Sequence, residues 1–414
     1  MTAHTRTGAL VAANTADTAL EDFTERLFGH LPRADQRRWA QVYLRGLLTT
    51  PGKKSVRQLA AAVTESPTAS QSLQQFISAS PWDWGPARRE LLRWIEERHT
   101  AHAWTIGEAV LPKRGDHSVG VHRRFDPAAG RTVNCQLGFG LFLSLDGASV
   151  PVDWRLLLPG TWSADPALRR RARISPEVAH QAPEALVLEL IDAISAHTSS
   201  VRAPVVADLS RLPGAGALIG MLGRRGQDFL VSVPATLAVS AAGIANDRGG
   251  PAGTLRSTTT AGEFARLGLT RHPYAALLTG PDGTPRRPRI QSGLVRVPGA
   301  ETGSAGPRRT YRLFGERHPG NGSGSGRRDR QVWLTNMNEH QMDDLLRLVR
   351  RPAESAHALS SLAGEFGLLD FEGRSFPGWH HHMTLMSAAY AYESLSARRR
   401  QPGRAPAQEV RRSA

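Results

Sequence analysis

Asp208 is placed where a ligand-binding carboxylate would need to be. It closes the apolar run 203–208 (Ala-Pro-Val-Val-Ala-Asp) just before a turn, so a short buried strand would present it at a sheet end. Carboxylates gathered from separate strands are what two-metal phosphodiester chemistry needs. Mg²⁺ takes oxygen ligands, and two ions about 4 Å apart stabilise the attacking and leaving oxygens. The simpler role for Asp208 is to cap the helix that follows. His380, His381 and His382 are consecutive. On a helix they point about 100° apart, and no Cys pattern or HExxH motif accompanies them, so they read as packing groups or a phosphate contact. Arg169, Arg170, Arg171 and Arg173 crowd the run 168–174, either a solvated surface or a grip on a nucleic-acid backbone.

The elements that would position these groups fall into blocks. Apolar residues recur at helical spacing through 20–48, interrupted at Pro32, and helices are expected at 55–63, 71–78 and 86–99. From Trp104 the pattern becomes β-like, with strands expected at 103–112, 117–125 (Gly120 inside it), 132–145 and 149–158. Asp146-Gly147 is a hairpin turn between the last two. A helix at 183–197 precedes the strand ending on Asp208. Helix 212–225 and strand 228–233 then complete a parallel crossover. Residues 234–330 are rich in Gly, Pro, Thr and Arg and read as a β-rich basic insertion with flexible loops at 281–288 and 319–330. Strand 331–336 and helix 341–350 restore the core.

Composition narrows the partners. Lys and Arg number 52 against 37 acids, a formal net charge of +15. Arginine's planar fork suits phosphate oxygens, so a polyanion is the expected partner. The one cysteine, Cys135, excludes an intramolecular disulfide and a cysteine zinc finger. The N-terminus lacks the pattern of a signal peptide, and the longest mostly apolar run, 133–145, is too short to span a bilayer. A cytoplasmic, nucleoid-associated protein is expected, with no membrane partner. Gly320 to Gly326 lacks the GK[ST] ending of a phosphate loop, so no nucleotide cofactor is expected.

The least generic text is 371–392, FEGRSFPGWHHHMTLMSAAYAY. It resembles the C-terminal signature of insertion-sequence transposases with an RNase H-like, three-carboxylate (DDE) core, which often read EGRSW-x-G-x-HHH-x-TL. The resemblance covers roughly 20–395. It extends to Val206-Ala207-Asp208, matching the family's V-x-A-D, and to Trp104-Thr105-Ile106-Gly107-Glu108-Ala109-Val110-Leu111-Pro112-Lys113, matching W-x-I-D-D-T-G-x-P-K. Gly107 stands where the family's catalytic Asp would be and Glu108 takes the next position. Strand alternation then turns Glu108 to the opposite face unless a bulge re-aims it. The third acid is Glu354, by its spacing from Arg350, or Glu365, nearer the signature; Pro352 disfavours an unbroken helix there.

The resemblance implies an α/β fold: an RNase H-like core sheet flanked by helices, with a β-rich insertion and a helical N-terminal region. The implied organisation is a disordered 1–17, a helical and possibly DNA-binding 18–102, the first part of the core at 103–233, the insertion at 234–330, core completion at 331–396 and a basic disordered tail at 397–414. It implies Mg²⁺- or Mn²⁺-dependent DNA strand cleavage and transfer, with Asp208, Glu108 and Glu354 (or Glu365) as catalytic and metal-holding acids. Lys113, Arg114, Arg123, Arg350 and Arg374 would contact phosphates, in a homodimer on a DNA end. The rival reading is the same fold with impaired acids, acting only as a DNA-binding protein or regulator.

Overall fold

The computed structural model describes residues 17–126, 130–198, 203–242, 258–267, 274–276, 278–279, 285–298, 300, 309–317 and 331–399. Of the segments expected to be disordered or loops, 1–16 of the stretch 1–17, 400–414 of the tail 397–414, 281–284 of the loop 281–288 and all of 319–330 lie outside these residues, whereas residues 17 and 397–399 are helical. The chain forms two compact units. The described residues of one lie within Met1–Ala101, Gly107–Ser200 and Glu354–Arg404, and those of the other lie within His102–Ile106 and Val201–Ala353.

In chain order the elements begin with five helices: α1 (17–28), α2 (Ala34–Thr49), α3 (Val56–Val63), α4 (Ala69–Ser78) and α5 (Gly85–Glu96). Sequence chemistry sets several of their starts. Ser55 Oγ accepts from Gln58 N–H at the head of α3, and Pro86 occupies the first turn of α5. Four strands follow: β1 (Ala103–Pro112), β2 (His122–Asp126), β3 (Arg131–Leu145) and β4 (Ala148–Leu156). The strand expected over 117–125 starts only at His122. Gly120 sits at φ +74°, and a Cβ there would meet Leu157 O at 2.9 Å, so the chain turns at that point instead of extending. Gly147, at φ +66°, closes the β3–β4 hairpin.

Helices α6 (Gly160–Ala164), α7 (Pro166–Ala172) and α8 (Pro183–Ser195) lead to β5 (Val205–Asp208), α9 (Ala215–Arg224) and β6 (Phe229–Val233). The insertion contains β7 (Ala238–Ala241), β8 (Thr259–Thr260), α10 (Ala261–Leu267), β9 (Tyr274–Ala275), β10 (Leu278–Thr279), β11 (Pro285–Arg286), β12 (Arg289–Arg296) and β13 (Tyr311–Arg317). The chain then runs through β14 (Val332–Thr335), α11 (Met342–Leu348), α12 (Arg351–Glu365) and α13 (Phe376–Arg399). Pro352 separates α11 from α12 and falls in the first turn of the latter, where its missing N–H removes no intrahelical bond.

In the first unit β3 lies beside β1 and pairs antiparallel with both β2 and β4. The organising helix of this unit is α13. Residues 378–391 are buried without a break, the pattern of a helix enclosed on all sides. Ser387, Ala388, Ala389 and Ala391 keep its girth small. In the second unit β5 pairs parallel with the start of β1 and with β6, and β14, β13 and β12 extend the sheet antiparallel from β6. Its core gathers Val206, Leu230, Phe314, Trp333 and Leu345. The antiparallel pairing of β3 with β4 and the parallel run β1-β5-β6 are the pairings of an RNase H-like core.

Candidate active site

The site is built from β1 outward. Side chains of β1 alternate: Thr105 and Gly107 are buried on one face, while Glu108 is exposed on the other. The burial alternation leaves Glu108 on the face opposite Gly107. Glu108 Oε1 lies 2.8 Å from Arg124 Nη2 on β2, a half-exposed ion pair. Gly107 faces packed side chains. A Cβ there would meet the Phe142 ring at 2.8 Å and Leu359 Cδ1 of α12 at 2.9 Å. Phe142 is fully buried and set edge-on to Trp154, with centroids 5.7 Å apart. The position where the family places an acid is occupied by an aromatic ring and an aliphatic side chain.

Asp208 ends β5. The pairing of Thr105 with Val206 puts it on the face of Val206 and Thr105, because directly paired side chains share a face. Its Oδ1 accepts from Ser210 N–H at 2.9 Å and from the Ser232 hydroxyl, and Gln331 Nε2 lies 3.5 Å from Oδ2. Burial pushes its pKa up. The hydrogen bonds from Ser210 and Ser232, with nearby Arg211, outweigh that and hold it below the ordinary carboxylate value. The group is an anion at neutral pH.

Glu354 lies in the first turn of α12, where Ser144 Oγ of β3 donates to its Oε2 at 3.0 Å. One residue on, Ser355 hydrogen-bonds Ser149 of β4 at 3.0 Å. Glu365 ends the same helix, about 16 Å away along its axis at 1.5 Å per residue. It belongs to a different cluster: it helps raise the pKa of Glu393, where burial is the larger cause, and it faces Lys54. Of the two glutamates, Glu354 is the one at the core strands. Among the described residues, no three His, Cys, Asp or Glu side chains come together to hold a metal ion. With Gly107 walled in and Glu108 held by Arg124, these residues do not fit the three-carboxylate metal site that the resemblance implies.

The basic candidates are scattered. Lys113 donates from Nζ to Phe371 O at 2.7 Å, tying the end of β1 to the signature block. Burial lowers its pKa to about 8, against the opposing pull of Glu372 and Asp370. Arg114, Arg123 and Arg374 are exposed, and Arg350 is half-buried in the turn between α11 and α12. The three histidines of the signature are packing groups. His380 stacks on Trp84 at 4.5 Å and accepts from Arg88 Nη2 at 3.2 Å on Nδ1. His381 stacks on Trp82 at 3.9 Å, with Ile77 O and Trp82 O at 2.9 and 2.8 Å from its ring nitrogens. His382 joins the Tyr43 hydroxyl at 2.8 Å and Gly367 O at 3.0 Å. Burial drives all three pKa values down, to about 4 for His381 and about 3 for His382.

Sequence reasoning missed Arg88 and Asp153, which fasten this block. Arg88 is 6 % exposed and pairs with Asp153. It also donates to Thr384 Oγ1 at 2.8 Å and to Trp154 O and His380 O, each at 3.1 Å. The only textual hint was an Arg on the apolar side of α5. Ser375 supplies the N-cap of α13, accepting from Gly378 N–H at 3.2 Å while donating to Ser78 O at 2.9 Å. A Cβ on Gly378 would meet Ile77 O at 3.1 Å. The motif's Ser, Gly and histidines are therefore the contacts by which α13 docks on α4 and α5.

No curated protein matches the chain. Among solved structures, one similar chain is the piggyBac transposase in its synaptic complex with hairpin DNA, 12% identical over 95% of this chain and 80% of that one, with a TM-score of 0.37. So low a score carries no argument here. The family described as DDE superfamily endonuclease matches residues 26–267, a span that takes in both Gly107 and Asp208. By that match, over more than half of its length, this chain belongs to the DDE superfamily endonucleases.

Proposed function

We propose that this chain is a DNA-binding protein on a DDE endonuclease scaffold, and that it does not perform metal-dependent strand cleavage. The observation that carries this reading is Gly107, whose face is filled by Phe142 and Leu359, while Glu108 is spent on Arg124. Metal-assisted cleavage needs a carboxylate from this strand beside the one from β5, and β1 offers none on the face of Thr105. DNA as partner follows from family membership and from the charge of +15. A homodimer on a DNA end is the corresponding assembly.

The family's own activity, strand cleavage and transfer at insertion-sequence ends with Mg²⁺ or Mn²⁺, is the second reading. What favours it is that Asp208 is held ionised at a strand end and Glu354 stands at β3. One experiment separates the two. Supercoiled DNA is incubated with the full chain and Mg²⁺ or Mn²⁺, and binding is measured alongside nicking. The first reading expects salt-sensitive binding without nicking, unchanged in Asp208→Ala. Nicking that disappears in Asp208→Ala would establish the second.

A further inference from the structure

The β2–β3 hairpin carries an unexplained aromatic. Phe125 is 59% exposed, the most exposed of the large hydrophobic residues described. Leaving a Phe in water forgoes a favourable burial, and nothing among the described residues covers it. Its surroundings are ordered by register. β2 alternates, with Arg123 and Phe125 exposed on one face and His122, Arg124 and Asp126 half-buried on the other. Opposite Arg123 stands Asn134, and opposite Phe125 stands Thr132. The outer face therefore presents an arginine, an aromatic ring, a carboxamide and a hydroxyl, with no carboxylate among them.

Residues two apart on a strand lie about 6.8 Å from each other. Arg123 has no ion-pair or hydrogen-bond partner among the described residues. The inner face is fastened by the Arg124–Glu108 pair at 2.8 Å, which fixes the direction in which Phe125 and Arg123 point. Arg131, at the start of β3, is exposed beside the tip. Within the hairpin strands the cations are Arg123, Arg124 and Arg131 and the one acid is Asp126. A ring able to stack, with the uncommitted guanidinium of Arg123 beside it on the same face, matches the way proteins hold an unstacked nucleobase while gripping its phosphates; Arg131, paired with Asp126, stands on the other face.

We propose that this hairpin face is a DNA-contacting surface on which Phe125 stacks against an exposed base and Arg123 holds an adjacent phosphate. The inference rests on the DNA-binding reading above and names the element that serves it. Glu108 then has a positioning role: it holds the hairpin that presents the ring.

The test uses the full chain and a duplex with a single-stranded tail of mixed sequence carrying 2-aminopurine. Wild type is expected to bind and to change the fluorescence of the probe. Phe125→Ala should weaken binding about ten-fold or more and abolish the fluorescence change, while Phe125→Trp retains both. Arg123→Ala should lower the salt slope by about one. Leu369→Ala, at another exposed apolar residue, serves as the control and should change neither. Phe125→Ala that binds within two-fold of wild type, with the fluorescence response intact, overturns the hairpin surface and leaves the DNA-binding reading standing. Wild type that does not bind DNA overturns both. All three alanine variants alter exposed side chains, and unchanged thermal unfolding would verify that each is folded.

Discussion

Gly107 concentrates the question of activity in a single position. A side chain there must displace Phe142 or Leu359, each within 2.9 Å of the added Cβ. Gly107→Asp is therefore expected to destabilise by about 1–3 kcal/mol through overpacking, with a further cost for the enclosed carboxylate. Urea unfolding checks this, and a variant as stable as wild type would show that the site yields. Leu359→Ala should relieve part of the strain, so the double variant would be less destabilised than the sum of the two single changes. A double-mutant cycle reads that coupling directly. Glu108 sits at the other extreme. Its pair with Arg124 is half-exposed, and such pairs contribute about 0–1 kcal/mol. Glu108→Ala should therefore change the unfolding free energy by less than about 1 kcal/mol while increasing amide exchange across 122–126.

Helix α13 is the element through which the first unit is assembled. Its N-terminal turns meet α4 through Ser375, Gly378 and His381, and α5 through Arg88 and His380. Arg88 and Asp153 are 6% and 14% exposed, so removing one partner leaves a buried charge uncompensated. Asp153→Ala is expected to cost about 3–5 kcal/mol, visible as a large fall in the urea midpoint. The histidines add a pH dependence whose sign follows from their environment. In the folded chain His380 accepts from Arg88 and His382 titrates only near pH 3, whereas in the unfolded chain each has a pKa of about 6.5. Acid therefore protonates the unfolded state first. Their contribution is complete above about pH 6.5 and lost as pH falls toward 3. His382 alone gives a slope of roughly 1.4 kcal/mol per pH unit between about pH 6 and 4, and buried His380 adds to it in the same direction. Unfolding curves across that range check it, and His382→Asn should flatten the slope.

At the scale of the whole molecule, the excess of cations over acids governs association. Of the arginines described in the first unit, several are committed to acids, among them Arg26, Arg45, Arg88, Arg124 and Arg155, whereas Arg114, Arg123 and Arg374 are exposed on its surface. Binding that engages about six phosphates would give a slope of log affinity against log salt near −5. A slope near zero would mean the charge is not used for DNA. Among the described residues, no helix is long and apolar enough to cross a membrane.

Much of this protein was legible in its text. The alternating run at 103–112, the Asp146-Gly147 turn and the apolar strand ending on Asp208 are local patterns, and local sterics and side-chain alternation are enough to read them. The signature block was legible as a motif, but its meaning was not. That three histidines serve as docking groups depends on carbonyls and hydroxyls from residues about 300 positions away in the chain, such as Ile77 and Tyr43. That Glu354 rather than Glu365 stands beside β3 is a matter of packing between distant segments, which the sequence does not display. The departure at Gly107 was visible in the sequence. Only the tertiary structure shows that Phe142 and Leu359 have taken the space, because exclusion by volume is a property of neighbours that the sequence does not place side by side.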